Sequence, residues 1–300
     1  MTPMDLRGVF APIPTPFDRN DQLDESRLRS ACARWAASSL RGLVVLGSTG
    51  EAVLLDEDES DRVVAVAREI WPAGRPFIVG TGRESTAATI LATRRAGALG
   101  ADAVLVRTPG FYKSQMNTDV FVRHYTSVAD ASPVPVLLDN FTAVTGVNLP
   151  PAAVTKLAAH PNIVGVKESS GDVAQIADFV KGSRAGFNVL AGSSTTFYSA
   201  LGVGAVGGVL ALSCVLPDAC VRVFELTRAG NHAEASALQM RLMPIAKLVG
   251  SMHGIAGLKA ALKLVGCDVG GPRSPLAPVS DATVAVLREA LVSFEEVALV

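Results

Sequence analysis

Paired cysteines are missing from this sequence. Its four cysteines, Cys32, Cys214, Cys220 and Cys267, form no C-x-x-C, and His124, His160, His232 and His253 stand at no metal-binding spacing from them. No disulfide framework and no metal site is therefore expected, and free thiols in a reducing compartment are the better reading. An excess of one charge is missing too. Lys plus Arg number 27 against 28 for Asp plus Glu, a net charge of −1, which leaves no global field to hold a phosphate backbone or an anionic membrane. Nucleic acid is not expected as a partner. Long apolar runs are absent: the strongest, 207–215, falls far short of the roughly 20 residues of a spanning helix, so no membrane span is expected. Met1-Thr2-Pro3-Met4-Asp5-Leu6-Arg7 lacks the charged start, apolar middle and cleavage site of a secretory signal, which makes the cytoplasm the expected location. Asn140-Phe141-Thr142 matches a glycosylation acceptor in letters, without chemical consequence in a protein that is not secreted.

What the chain does have is apolar mass. Of 300 residues 49% are hydrophobic and 18% charged, enough for a large core, and the length suits a single α/β barrel. Short β-branched runs alternate with longer amphipathic ones, the rhythm of repeated βα units. The strand candidates are 9–13, 43–46, 77–79, 103–106, 134–138, 163–166, 187–190 and 205–210. Most are apolar throughout, as expected of parallel strands covered on both faces. Helices are expected over 25–37, 57–70 and 86–98, opened by Asp24, Asp56 and Ser85, with Gly100, Gly182 and Gly186 at helix stops. Further helices are expected over 217–229, 232–249, 255–265 and 280–292. The expected fold is therefore a (β/α)8 TIM barrel over 1–230 with a C-terminal helical extension of the same domain over 231–300. An open doubly wound sheet is the alternative that a count of eight disfavours.

Barrel enzymes place their chemistry at the C-terminal strand ends, and here those ends are polar: Gly47-Ser48-Thr49-Gly50-Glu51, Asp139-Asn140, Lys167-Glu168-Ser169-Ser170-Gly171 and Gly192-Ser193-Ser194. Alternation puts Lys167 on the side of Gly165 and Ile163, at the barrel mouth. Nucleophilic amine chemistry needs a neutral lysine, which desolvation favours, and Schiff-base formation with a ketone is its natural use. The competing reading is a lysine reaching to solvent from a strand terminus. Ser48 and Thr49, between glycines, offer hydroxyls and backbone N–H groups to a carboxylate; the competing reading is an ordinary capped turn. Glu51 reads as a capping and dipole residue rather than an acid or base. Gly202-x-Gly204-x-x-Gly207 has the letters of a dinucleotide fingerprint but runs from helix to strand, the reverse of the required context, so no nicotinamide cofactor is expected.

Taken in order, Gly47-Ser48-Thr49-Gly50-Glu51, Thr108-Pro109, Thr145-Gly146, Pro161-Asn162-Ile163-Val164-Gly165-Val166-Lys167-Glu168-Ser169 and Arg241-Leu242-Met243-Pro244 resemble the dihydrodipicolinate synthase and N-acetylneuraminate lyase family. His124-Tyr125-Thr126-Ser127-Val128-Ala129-Asp130 and Val189-Leu190-Ala191-Gly192-Ser193 look most like its 4-hydroxy-2-oxoglutarate aldolases. The resemblance implies a barrel, assembled as a homotetramer or dimer, that binds pyruvate or another 2-oxo acid as an imine without metal or organic cofactor. By that resemblance Lys167 is the imine lysine and Ser48 the relay hydroxyl. Ser48 and Thr49 would hold the keto-acid carboxylate, with Ser169, Gly192 and Val209 also lining the substrate site.

Three departures from the family pattern matter. Asp139 stands where the family has a tyrosine, Phe111 followed by Tyr112 where a neighbouring subunit inserts a second, and Val144 where dihydrodipicolinate synthases carry an arginine for a substrate carboxylate. Asp139 could replace the phenol as the base in C–C cleavage, or merely cap a strand end; Tyr112 is the other candidate proton carrier. The expected activity is a class I aldolase that cleaves a 4-hydroxy-2-oxo acid to pyruvate, with glyoxylate as co-product from 4-hydroxy-2-oxoglutarate. Alternatives are 4-hydroxy-tetrahydrodipicolinate synthase, a sugar-acid dehydratase, and a catalytically degenerate barrel that binds keto acids.

Overall fold

Eight parallel strands close on themselves in chain order: β1 Gly8–Pro12, β2 Gly42–Val45, β3 Phe77–Gly80, β4 Ala103–Arg107, β5 Val136–Asn140, β6 Ile163–Glu168, β7 Asn188–Ala191 and β8 Gly207–Val209. β8 pairs back onto β1 through Gly8 and Gly207. The computed structural model describes residues 4–294, so the last six residues of the C-terminal extension lie outside the described part. All eight expected strands are present. The open-sheet alternative is overturned by the closure.

Strand alternation sorts the core into two layers. Outward-facing Val45, Val79, Val104, Val106, Leu138 and Val166 pack under the helices against Trp35, Phe121, Tyr125 and Phe179. Inward-facing Phe10, Val44, Ile78, Leu105, Leu137, Leu190 and Val209 fill the barrel, joined by Leu6 just ahead of β1. Burying each such side chain contributes about 1.5–3 kcal/mol. Close packing explains Gly42: a Cβ there would fall 2.3 Å from the Phe10 ring.

The helices follow their capping signals. Asp24, Asp56 and Ser85 accept from the backbone N–H of Arg27, Glu59 and Ala88, and Asp56 with Glu59 forms a full capping box. Glu57–Ile70 and Thr86–Ala98 begin and end where the sequence placed them. After β8, helices Pro217–Arg228, His232–Lys247, Gly254–Leu264 and Asp281–Val292 follow. The single helix expected over 232–249 instead gives way to a π-helical turn at Leu248–Met252. The extension packs against the short turns Ser194–Thr196 and Ala211–Cys214 that follow β7 and β8, so it covers part of the C-terminal end of the barrel.

Two strand boundaries differ from expectation in a way that shapes the site. The sequence pattern takes the apolar runs of β5 and β6 to 138 and 166, with the polar residues beyond at the strand ends. In the structure Asp139 pairs with Lys167 and Asn140 with Glu168, extending both strands by two residues. Polar residues continue a ladder where partners satisfy them. β6 also carries an irregularity: Val136 registers with Ile163 but Leu137 with Gly165, which makes Val164 an extra residue. Ile163 therefore packs in the outer layer and Val164 against the inner one. Gly165 and Lys167 share the inward face as expected; Ile163 does not, because the bulge breaks the period of two.

Candidate active site

Inward alternation along β5 runs from Leu137 to Asp139, and on β6 from Gly165 to Lys167, so the two polar residues stand side by side one step above the apolar filling. Lys167 Nζ donates to Asp139 Oδ1 at 3.0 Å. Both residues are buried, 5% and 4% exposed, and the Phe141 ring lies 5.5 Å from the amine. Lys167 thus does not reach to solvent, and Asp139 does not merely cap a strand: each is the other's partner. An amine bonded to a carboxylate has somewhere to leave its proton before attacking a carbonyl carbon. Once it has passed that proton to the hydroxyl leaving as water, the same carboxylate can take a hydroxyl proton from what the amine holds.

The next rung faces the other way. Glu168, wholly buried, accepts from Asn140 Nδ2 at 2.6 Å, Gln175 Nε2 at 2.7 Å and the Ser170 N–H at 2.6 Å. Asn140 Oδ1 in turn accepts from the Leu149 N–H at 2.8 Å. This amide cradle locks the ends of β5 and β6 together behind the Asp139–Lys167 pair. Sequence reasoning missed it. The signal was present, since two polar residues directly follow the two flagged ones, but their pairing is a matter of strand register.

Ser48 and Thr49 sit half-buried in the turn after β2, which is bent sharply: Leu46 and Glu51 have φ of +56° and +54°. The turn is held by Gly50 N–H to Gly47 O and Glu51 N–H to Ser48 O. Among the described residues neither hydroxyl has a hydrogen-bond partner, which leaves both able to meet a ligand. Ser169 Oγ is buried and unpartnered as well, and it abuts Gly192, where a Cβ would lie 2.0 Å from it. Val209 belongs to the apolar inner layer.

Tyr112 is not brought to the lysine within one chain: it is 69% exposed and packs edge-to-face on Phe111, itself exposed. The other tyrosines do not replace it. Tyr125 lies in the outer layer with its hydroxyl donated to Val106 O, and burial, followed by the nearby charge of Asp139, pushes that phenol well above its ordinary value. Tyr198 lies beside His232 instead. Val144 is exposed in the Thr142–Thr145 turn.

Glu51 corrects the sequence reading. It opens the short turn Ala52–Leu54 but makes no side-chain cap. Its left-handed backbone instead carries the carboxylate into the protein, where Oε1 lies 2.7 Å from Lys259 Nζ and Oε2 accepts from the Arg273 N–H at 2.8 Å. The glycines of the apparent dinucleotide fingerprint connect helix Phe197–Gly202 to β8, the reversed order the sequence indicated.

Comparisons with known proteins agree with the barrel fold. The sequence model of the dihydrodipicolinate synthetase family matches residues 5–293. The chain is 36% identical over 290 residues to a 4-hydroxy-tetrahydrodipicolinate synthase of Exiguobacterium sp., covering 97% of this chain and 98% of that one. It is 34% identical over 288 residues to a probable mitochondrial 4-hydroxy-2-oxoglutarate aldolase of Emericella nidulans, covering 94% and 93%. The crystal structure of dihydrodipicolinate synthase from Thermotoga maritima superposes with a TM-score of 0.92 at 31% identity, covering 96% of this chain and 98% of that one. A prophage protein of the dihydrodipicolinic acid synthase family from E. coli K12, solved in complex with pyruvate, superposes with a TM-score of 0.90 at 26% identity, covering 97% and 99%.

Proposed function

The chain belongs to the dihydrodipicolinate synthetase family, and on that footing we propose that it is a Schiff-base aldolase cleaving a 4-hydroxy-2-oxo acid to pyruvate and an aldehyde. With 4-hydroxy-2-oxoglutarate the aldehyde is glyoxylate. The observation that carries the reading is the buried Lys167 amine donating to Asp139 at 3.0 Å. Lys167 gives its proton to Asp139 and attacks the C2 carbonyl; Asp139 returns that proton to the carbinolamine hydroxyl, which leaves as water, so the imine forms with Asp139 again a carboxylate and the keto-acid carboxylate held by Ser48 and Thr49. Asp139 then takes the C4 hydroxyl proton, the C3–C4 bond breaks, and its electrons pass into the imine as an enamine. Protonation at C3 and hydrolysis release pyruvate and free the lysine. The imine is the electron sink, so neither metal nor organic cofactor is required. The enzyme acts as a homo-oligomer, tetramer or dimer, in the cytoplasm.

The named synthase relatives favour a second reading, 4-hydroxy-tetrahydrodipicolinate synthesis. Val144 weighs against it, because an uncharged side chain cannot supply the bidentate contact an arginine makes to a carboxylate. The dehydratase reading has no particular residue in its favour. The test is incubation with pyruvate and borohydride followed by mass mapping, then turnover with 4-hydroxy-2-oxoglutarate against condensation with aspartate semialdehyde. A reduced adduct on Lys167 and release of glyoxylate are expected. An adduct elsewhere, or none, overturns the assignment, and pyruvate binding without an adduct marks a degenerate barrel.

A further inference from the structure

The turn that carries Ser48 and Thr49 is gripped at two successive residues by one ammonium from the C-terminal extension. Lys259, on helix Gly254–Leu264, is 2% exposed. Its Nζ lies 2.7 Å from Glu51 Oε1 and donates to Thr15 O at 2.7 Å and to Gly271 O at 2.8 Å. Thr15 passes the hold onward: its hydroxyl donates to Gly50 O at 2.6 Å. Gly50 and Glu51 are thus tied to the same nitrogen, Gly50 through Thr15 and Glu51 directly. The Arg273 N–H takes the second oxygen of Glu51, while the Arg273 guanidinium is clamped to Glu59, Asp21 O and Leu54 O. Phe17 lies under both cations, 4.5 Å from Lys259 Nζ and 4.3 Å from the Arg273 guanidinium.

This arrangement is more than the barrel needs for closure. The strands are sealed by their own ladders, and the site pair on β5 and β6 is braced by Asn140 and Glu168. What the buried cluster fixes is the sharply bent turn between Leu46 and Glu51, whose positive-φ residues resist that shape unless held. We infer that Lys259, through Glu51 and Thr15, is a positioning residue that sets the Ser48–Thr49 turn for the substrate carboxylate and makes the C-terminal extension part of the active site. The inference rests on the imine reading at Lys167, since that reading assigns the carboxylate to this turn.

The test measures Lys167 adduct against pyruvate concentration by borohydride trapping in the full-length protein. Two variants are compared with the natural sequence: Thr15→Val, isosteric and lacking the hydroxyl to Gly50, and the paired Glu51→Gln with Lys259→Met, which removes both buried charges together. A small misplacement of binding groups costs heavily, so each is expected to raise half-saturating pyruvate about tenfold or more while adduct yield at saturation is retained. A pair serving stability alone would lower the melting temperature and leave half-saturation where it was. Half-saturation within about twofold of the natural protein in folded variants overturns the inference; should the paired variant fail to fold, Thr15→Val decides alone. Absence of adduct in the natural protein overturns the imine reading and this inference together. A normal natural curve with unshifted variant curves overturns the positioning role and leaves the imine standing.

Discussion

Replacing Asp139 by asparagine keeps the size of the side chain and removes the charge that Lys167 faces at 3.0 Å. At that distance and an effective dielectric of about 20, two unit charges attract by roughly 5 to 6 kcal/mol. Desolvating both groups offsets much of this, yet breaking a buried pair from one side still costs about 3–5 kcal/mol if the remaining group stays charged. The variant keeps the Lys167 amine, the group that attacks a ketone. Imine formation should therefore survive in Asp139→Asn. C–C cleavage should not, because the group placed to receive the hydroxyl proton is gone, and loss of a positioned base costs about 10²- to 10⁴-fold. The assay is a split measurement, with borohydride trapping of pyruvate on one arm and turnover of 4-hydroxy-2-oxoglutarate on the other. Retained trapping with turnover reduced by about 10²-fold or more supports the base assignment. Unchanged turnover, or trapping and turnover lost in equal measure, refutes it. Asp139→Tyr adds a converse check, since a large gain in turnover would show the aspartate to be a defect and not a substitute base.

His124 offers a pH prediction. It is buried, with Nδ1 2.9 Å from Thr86 Oγ1, and burial holds its pKa down at about 4. The unfolded chain takes that proton near 6.5, so between these values the unfolded state binds more protons and stability falls as pH falls, by about 3 kcal/mol in all. Urea midpoints at pH 7 and 4.5 should differ less in His124→Asn than in the natural protein; an identical difference would refute the assignment. Gly192→Ala puts a Cβ 2.0 Å from Ser169 Oγ, an overpacking that costs about 1–3 kcal/mol, and pyruvate trapping should weaken with it; a variant that traps normally would remove Gly192 from the site. Val144→Arg supplies the missing guanidinium at the mouth and should lower the KM for a carboxylate-bearing aldehyde about tenfold, the worth of one charged hydrogen bond. An unchanged KM would show that the Thr142–Thr145 turn does not face the second substrate.

Local pattern carried a large part of this protein. Apolar runs of strand length marked all eight strands, because a parallel strand covered on both faces has little room for polar residues. Asp56 and Ser85 announced their helices because an N-cap side chain acts within three residues of itself. Lys167, at the end of such a run, was legible as a group that needs a use. The relations between distant segments were decided only by closure of the barrel. Nothing near Asp139 in the chain shows that Lys167, 28 residues on, will be its partner; strand register does that. Val164 slips out of the alternation because β5 and β6 pair with one extra residue between two registered pairs. Glu51 read as a helix cap because a carboxylate before a helical pattern usually is one, and its burial against Lys259 arises only when the C-terminal helices fold back across the barrel mouth. Periodicity and capping are short-range and can be read from neighbours, whereas pairing across the barrel depends on where the whole chain returns.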